Sequence, residues 1–286
     1  MASSAGPPVD AGTRLYAVIG HPVAHSLSPL MHNAAFRSSG VNGVYVAFDV
    51  TDLPGAIAGL RALEMGGMSV TIPHKVAVMD LLDEVEPAAR RIGAVNTIVN
   101  QAGRLVGLNS DAPGAMAALL EKGPLAGKRV AVVGAGGAAR AVAHGIVQHG
   151  GRLTIINRSE ANGRRLADEL EAVFVPLNAF GADGIDVLIN TTSVGMSPRT
   201  DRMPVAAECL RAGMTVMDIV YNPLTTRLLR AARAAGCTVV DGAAMFVHQG
   251  AIQFEHWTGR RAPVALMKQV VLEALQGRET KDPVSR

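Results

Sequence analysis

Short apolar stretches rich in Val and Ile alternate with Ala-rich amphipathic stretches along nearly the whole chain. Val and Ile are stiff at χ1 and suit a pleated surface, whereas Ala, Leu and Met lose little on entering a helix. Strands are predicted over Leu15–Ile19, Val44–Phe48, Met68–Thr71, Thr97–Val99, Val130–Val133, Leu153–Ile156, Val173–Val175, Val187–Ile189, Thr215–Ile219 and Thr238–Val240. Helices are predicted over Pro29–Ser38, Leu53–Leu63, Val76–Leu82, Pro87–Arg91, Gly114–Glu121, Ala138–His149, Glu160–Leu170, Thr226–Ala235, Ala244–Thr258 and Pro263–Leu275. Strand and helix in repeated alternation give a mostly parallel sheet covered on both faces, so the fold class is α/β.

At roughly 150 residues per domain, 286 residues suggest two domains. The composition, 49% hydrophobic and 18% charged, supplies sizeable cores and excludes a disordered chain. Aromatics are only 3%, so those cores are built from Ala, Val, Leu, Ile and Met. Cys209 and Cys237 carry no partner motif. A disulfide scaffold and a cysteine zinc site are therefore not expected, and a reducing compartment is. The net charge of +3 comes from scattered pairs such as Lys128-Arg129 and Arg260-Arg261. Without a basic run or interleaved aromatics, nucleic acid is not an expected partner. No stretch reaches the ~18 uninterrupted apolar residues of a membrane span. Residues 1–12 lack the basic start and apolar centre of a signal peptide; they read as a short disordered tail, and a cytoplasmic location is expected.

One loop points to a ligand. Val130-Ala-Val-Val-Gly134-Ala135-Gly136-Gly137-Ala138-Ala139-Arg140 is a strand, a Gly-rich turn and a helix start that fits G-x-G-x-x-G/A. Gly134 permits the tight turn, Gly136 lets backbone approach a pyrophosphate, and Ala139 lets the helix lie close to the strand. Free N–H groups at the helix start then face the anion. An NAD site carries Asp or Glu at the end of the next strand, about twenty residues on. Here Asn157-Arg158-Ser159 stands there, and the Arg fork suits a 2′-phosphate, so NADP is the expected cofactor, with NAD as the alternative.

Four segments of the first 115 residues carry polar groups at candidate strand ends, where open α/β sheets place ligand loops. They are Gly20-His-Pro-Val-Ala-His25-Ser26-Leu-Ser28-Pro29, Ser69-Val-Thr71-Ile-Pro73-His74-Lys75, Gly93-Ala-Val-Asn96-Thr97 and Gly107-Leu-Asn109-Ser110-Asp111. Taken alone, Lys75 reads as a solvated loop lysine and Asp111 as an N-cap for a helix at Gly114. His21, His25, His32 and His74 do not read as a metal site, because Pro22 breaks the helix that would pair them and no carboxylate lies within the cluster.

With Asn190-Thr-Thr-Ser-Val-Gly195-Met, Asp218-Ile-Val-Tyr221-Asn-Pro223, and Asp241-Gly242 followed by Gln249, these segments resemble the shikimate dehydrogenase family from about Leu15 to Trp257. The resemblance implies an N-terminal α/β substrate domain over 13–111, rejoined by the last helices over 244–286. It also implies a C-terminal Rossmann domain over 112–243 and an active-site cleft between the two. The implied reaction is reversible reduction of 3-dehydroshikimate to shikimate by NADPH, in aromatic amino acid biosynthesis. Matched by position, Lys75 and Asp111 are the catalytic pair, with Asp111 orienting Lys75 and binding a hydroxyl. Ser26, Ser28 and Tyr221 hold the substrate carboxylate, and Thr71, Asn96 and Gln249 bind ring hydroxyls. Gly134 to Ala139, Asn157, Arg158, Ser159, Ile219 and Gly242 form the cofactor side.

Three positions depart from the family pattern: Ser110 replaces Thr, Asn162 replaces a basic residue, and Ala244 replaces Gly. They keep open a quinate/shikimate dehydrogenase, or a member using NAD or another cyclic hydroxy acid. The expected partner is a small-molecule substrate, with a homodimer as the open assembly state.

Overall fold

The structure, a computed structural model, describes residues 7–279. The chain divides into two units, Met1–Ser110 with Gln249–Val271, and Asp111–His248 with Leu272–Arg286. Of the expected tail, residues 1–6 lie outside the described residues. By Asp10 the chain is held, since the Asp10 carboxylate accepts N–H groups from Gly12 and Asn42, each at 2.9 Å.

The first unit contains β1 (Arg14–Gly20), α1 (Ser28–Ser38), β2 (Gly43–Asp49), α2 (Leu53–Ala62), β3 (Gly67–Val70), β4 (Glu84–Val85), α3 (Pro87–Ile92), β5 (Thr97–Gln101) and β6 (Arg104–Leu108). Their order in the sheet is β2-β1-β3-β5-β6-β4. The strand β1 runs parallel to β2 and β3, but β5 is antiparallel to both β3 and β6. This sheet is therefore mixed, with three parallel pairings, the third between β4 and β6, and two antiparallel ones. The reason is a tight turn at Ala102 (φ 51°) and Gly103 (φ 94°), whose paired positive φ values suit a hairpin's twist. The sequence did not disclose β6, because Gly107 reads as a loop residue. In the fold, a Cβ there would lie 2.5 Å from Leu82 Cδ1 and 2.9 Å from Val95 Cγ2. The expected helix Val76–Leu82 shrinks to a 3-10 turn over Ala77–Leu81, too short to offset the cost of nucleating an α-helix.

Successive side chains of a strand point to opposite faces. Ala17 and Ile19 accordingly join Leu60, Met68, Ile98 and Leu105 in one core. Tyr16 faces the other way, into rings from Phe36 and Trp257 at 5.0 and 5.4 Å. The second half of α8 (Gly242–Thr258) belongs to this unit. Its Trp257 donates Nε1–H to the Ile98 carbonyl at 3.0 Å.

The second unit begins with α4 (Asp111–Leu120), three residues earlier than expected. Asp111 is thus inside the first helical turn, where the helix dipole favours a carboxylate. Next come β7 (Arg129–Val133), α5 (Gly137–Gln148), β8 (Arg152–Asn157), α6 (Glu160–Glu169), β9 (Val173–Pro176), β10 (Val187–Asn190), β11 (Thr215–Asp218), α7 (Arg227–Ala234) and β12 (Thr238–Val240). All pairings are parallel, in the order β12-β11-β10-β7-β8-β9. This is a doubly wound sheet whose strand order reverses between β7 and β10. Val130 and Val132 pack with Met116 and Val142 on one face, and Ala131 and Val133 with Leu228 and Leu229 on the other. The chain closes with α9 (Val264–Glu279). The units divide at 110/111, inside α8 at 248/249 and again inside α9 at 271/272.

A Cβ on Gly67 would lie 2.2 Å from Trp257 Nε1 and 2.6 Å from the Ile98 carbonyl oxygen, so strand and helix can close only on glycine here. Gly67→Ala should destabilise the protein by about 1–3 kcal/mol, as overpacking does. Urea unfolding would check this, and an unchanged midpoint would count against the close packing.

Candidate active site

In the first unit, β1 and β3 end side by side, with Ile19 opposite Val70. The loops that leave them carry Ser26 and Ser28 on one, and Thr71 and Lys75 on the other. Backbone bonds tie the loops together: His21 N–H donates to the Ile72 carbonyl and Thr71 N–H to that of Ile19, both at 2.9 Å. Ser26 Oγ accepts the Ser28 N–H at 3.2 Å, just where α1 starts. The Lys75 carbonyl accepts the Val95 N–H at 2.8 Å, and the Asn96 carbonyl accepts the Val70 N–H at 2.9 Å. The Asn96 side chain is buried against Ser110, whose N–H donates to Asn96 Oδ1 at 2.7 Å. Ser110 Oγ in turn lies 3.5 Å from Gln249 Oε1, to which it donates. Ser26, Ser28, Thr71, Lys75, Asn96 and Gln249 therefore all belong to this unit, while Asp111 and Tyr221 belong to the second.

In the second unit, Gly134 has a φ of 122°, and a Cβ there would lie 2.5 Å from Thr191 Oγ1. A Cβ on Gly136, the N-cap of α5, would meet nothing within 4 Å. The helix start is thus open at Gly136, and Ala139 is fully buried against the sheet. Val133 lies opposite both Ile156 and Asn190, so β7, β8 and β10 end level. At the end of β8, Asn157 Nδ2 donates to the Ser159 carbonyl at 2.9 Å, leaving Arg158 exposed between them. Gly242 is buried; a Cβ on it would lie 2.5 Å from the Ile219 carbonyl oxygen, so α8 begins against the β11 loop. In that loop the Tyr221 ring stacks on Phe246 at 4.6 Å.

One buried carboxylate locks the two loops beyond β10 and β11. Asp218 Oδ1 accepts from Asn190 Nδ2 at 2.9 Å and from the Val220 N–H at 3.1 Å, and Oδ2 accepts from Thr226 Oγ1 at 2.7 Å. Asn190 Oδ1 is bonded in turn by the Thr192 N–H at 3.0 Å and its hydroxyl at 2.7 Å. Burial, opposed by these hydrogen bonds, pushes the Asp218 carboxyl up to about 6.

Three family models cover most of the chain. A shikimate dehydrogenase substrate binding domain matches residues 18–98, a shikimate / quinate 5-dehydrogenase model residues 117–220, and a shikimate 5'-dehydrogenase C-terminal domain residues 242–272. A curated relative from Moorella thermoacetica, shikimate dehydrogenase (NADP(+)), is 48% identical over 281 residues, 93% of this chain and 95% of that protein. The chain belongs to the shikimate dehydrogenase family. A shikimate dehydrogenase crystallised with NADP+ superposes with a TM-score of 0.91 at 42% identity, covering 94% of this chain and 98% of that one. The Thermus thermophilus enzyme in complex with NADP(H) and shikimate gives 0.87 at 40% identity, covering 92% and 100%.

Within this shikimate dehydrogenase scaffold, Ser110 keeps the hydroxyl of the expected Thr, which accepts from Asn96 Nδ2 at 2.9 Å and donates to Gln249 Oε1 at 3.5 Å. Arg164 is engaged by Glu160 at 3.2 Å and lies over the Phe174 ring at 5.0 Å, while Asn162 accepts from Arg165. Arg158 is thus the cation at the end of β8 itself. Among the described residues no group of three or more His, Cys, Asp or Glu could hold a metal ion, and no helix is long and apolar enough to cross a membrane. His74 donates Nε2–H to the Val50 carbonyl at 2.8 Å, and His21 meets Asp49 at 2.5 Å. His32 is fully buried, stacked on Tyr45 at 4.5 Å, and burial pushes it down to about 3. Residue-by-residue matching missed Gln253, Ser69, Phe246 and the Asn190 and Thr226 side chains that meet on Asp218. For Gln253 a signal existed, because it lies four residues from Gln249 and so shares its helix face.

Asp218 makes stability depend on pH in a defined direction. Its carboxyl is raised from 3.8 to about 6 in the folded state. The folded state therefore holds the proton more tightly. That contribution is fully present below pH 3.8 and is lost as pH rises through 6, a swing of about 3 kcal/mol. Asp218→Asn should remove the swing, since Thr226 Oγ1 can turn to accept from the new amide. The stability of the variant relative to the parent should rise between pH 4 and 6 in denaturant unfolding. A difference that stays flat across that range would remove the assignment.

Proposed function

We propose that the protein catalyses the reversible NADPH-dependent reduction of 3-dehydroshikimate to shikimate, a step towards aromatic amino acids. The observation that carries this reading is near-complete coverage of NADP-dependent shikimate dehydrogenases at 48% identity, with every donor named above present in the chain. The second unit fits the cofactor: Gly136 leaves space for a pyrophosphate at the start of α5, and Arg158 is exposed where a 2′-phosphate would be read. Asn157, Ser159, Ile219 and Gly242 complete that side.

Bound NADPH supplies the hydride. The side chains have to hold a small anion and move one proton. Ser26, Ser28 and Tyr221 hold the carboxylate with neutral hydroxyls. Thr71, Asn96 and Gln249 take ring hydroxyls, and Asp111 takes another as an acceptor. Reduction of a ketone develops an alkoxide, and the Lys75 ammonium donates the proton to it; in the reverse direction the neutral amine accepts it. A second reading, oxidation of quinate with NAD, draws on Asn162, which is not a cation and is bonded to Arg165. Rates with shikimate and quinate against NADP and NAD, followed by absorbance of the reduced cofactor, separate the two. A cytoplasmic location and assembly as a homodimer complete the proposal; free Cys209 and Cys237 fit a reducing compartment.

Lys75→Met keeps the apolar stem and removes the proton. Turnover should fall about 10²–10⁴-fold while substrate affinity changes far less. A folded Lys75→Met protein with near-normal turnover would end the proton-donor role. Arg158→Ala should weaken NADP by about one to two decades and leave NAD nearly unchanged, because only NADP carries the 2′-phosphate. Equal losses for both cofactors, measured by titration, would show that Arg158 does not read it.

A further inference from the structure

Beneath Asn96 runs a directed chain of buried hydrogen bonds, all within the first unit. The Tyr45 hydroxyl donates to Ser69 Oγ at 2.6 Å, and Ser69 Oγ donates to Gln253 Oε1 at 2.8 Å. Gln253 Nε2 donates to the Asn96 carbonyl at 3.2 Å and to Thr97 Oγ1 at 3.0 Å. Thr97 Oγ1 donates to Asn96 Oδ1 at 2.9 Å. Tyr45, Ser69, Asn96, Thr97, Ser110 and Gln253 are each no more than 6% exposed.

The direction of this chain is determined by its fixed groups. A backbone carbonyl only accepts, so the Gln253 atom beside the Asn96 carbonyl must be the nitrogen. That nitrogen also donates to the Thr97 oxygen, whose own proton then goes to the nearer of two oxygens, Asn96 Oδ1 at 2.9 Å and not Ser110 Oγ at 3.2 Å. A backbone N–H only donates, so the Asn96 atom beside the Ser110 N–H must be the oxygen, at 2.7 Å. The two lone pairs of Asn96 Oδ1 are then taken by Ser110 N–H and Thr97 O–H. One Asn96 N–H goes to Ser110 Oγ at 2.9 Å. By this inventory, what the Asn96 amide has to offer a ligand is its second N–H.

We infer that Gln253 is a positioning residue which, through the Thr97 hydroxyl, commits Asn96 to present an N–H donor to a substrate ring hydroxyl. The inference rests on the reading of Asn96 as a ring-hydroxyl ligand. It assigns the polarity of that contact and adds Gln253 and Thr97 to the residues that set specificity. Without the Gln253 amide the Thr97 proton can turn towards Ser110 Oγ, one lone pair of Asn96 Oδ1 opens, and the side chain can accept from a ring hydroxyl as well as donate to it. The cost falls on substrate binding, because the contact is made alike in ground and transition states.

The test compares Gln253→Met, Asn96→Ala and the double variant. Gln253→Met should raise KM for shikimate about 3- to 10-fold, the worth of one ordinary hydrogen bond. Its kcat and its KM for NADP should stay near the parent values, which general loosening of the fold would not spare. Asn96→Ala should raise KM further, and the double variant should match Asn96→Ala alone, because Gln253 acts only through Asn96. If Gln253→Met does not fold, Thr97→Val carries the same comparison, replacing the relaying hydroxyl by a methyl of similar shape. An unchanged KM in Gln253→Met or Thr97→Val beside a raised KM in Asn96→Ala overturns this inference and leaves the site reading intact. Fully additive losses overturn it too. An unchanged KM in Asn96→Ala overturns both.

Discussion

A strand that pairs parallel to its neighbour must send the chain back across a face of the sheet before the next strand can begin. In the second unit every pairing is parallel, so helices cover both faces and all six strands end at one edge. The glycine loop after β7, the Asn157–Ser159 turn after β8 and the loops after β10 and β11 collect there without further instruction. The reversal of strand order between β7 and β10 opens the crevice in which doubly wound sheets bind their ligands. Position along the sheet, rather than any one residue, decides where these loops gather.

Loops gathered in this way still have to be held, and both units hold them with buried polar groups at strand ends. Asp218 ties the loops after β10 and β11 through Asn190, Val220 and Thr226. Ser110 and Asn96 do the same for the segments entering β5 and leaving β6. A buried polar group that loses its partner costs far more than an average hydrogen bond contributes. Such networks therefore hold one arrangement of the loops. The elevated carboxyl of Asp218 shows that this order is obtained against an opposing desolvation cost.

Much of the second unit was legible because its signals are local. An unbroken β-branched and apolar run makes Val130–Val133 read as a strand, the Gly134–Ala139 spacing needs only consecutive residues, and the helix Glu160–Glu169 lies within one residue of expectation. The first unit was less legible. Its hairpin turns on Ala102 and Gly103 and not on an Asn-Gly or Asp-Gly pair, and Gly107 imitates a loop while serving to let Leu82 and Val95 pack across β6. The start of α4 was misplaced because Pro113, although tolerated in a first helical turn, reads as a breaker.

By itself, the sequence determined the fold class, the positions of most strands, the glycine turn and the order of the polar segments, because each depends on residues near one another in the chain. Tertiary structure alone decided the mixed pairing of the first sheet, the raised carboxyl of Asp218 and the direction of the hydrogen-bond chain from Tyr45 to Asn96. These rest on partners far apart in sequence, such as Ser69 and Gln253, whose meeting depends on the second half of α8 packing against β3 and β5. A hydroxyl or an amide can both donate and accept. Which of the two it does is set by the fixed carbonyls and N–H groups that folding brings beside it.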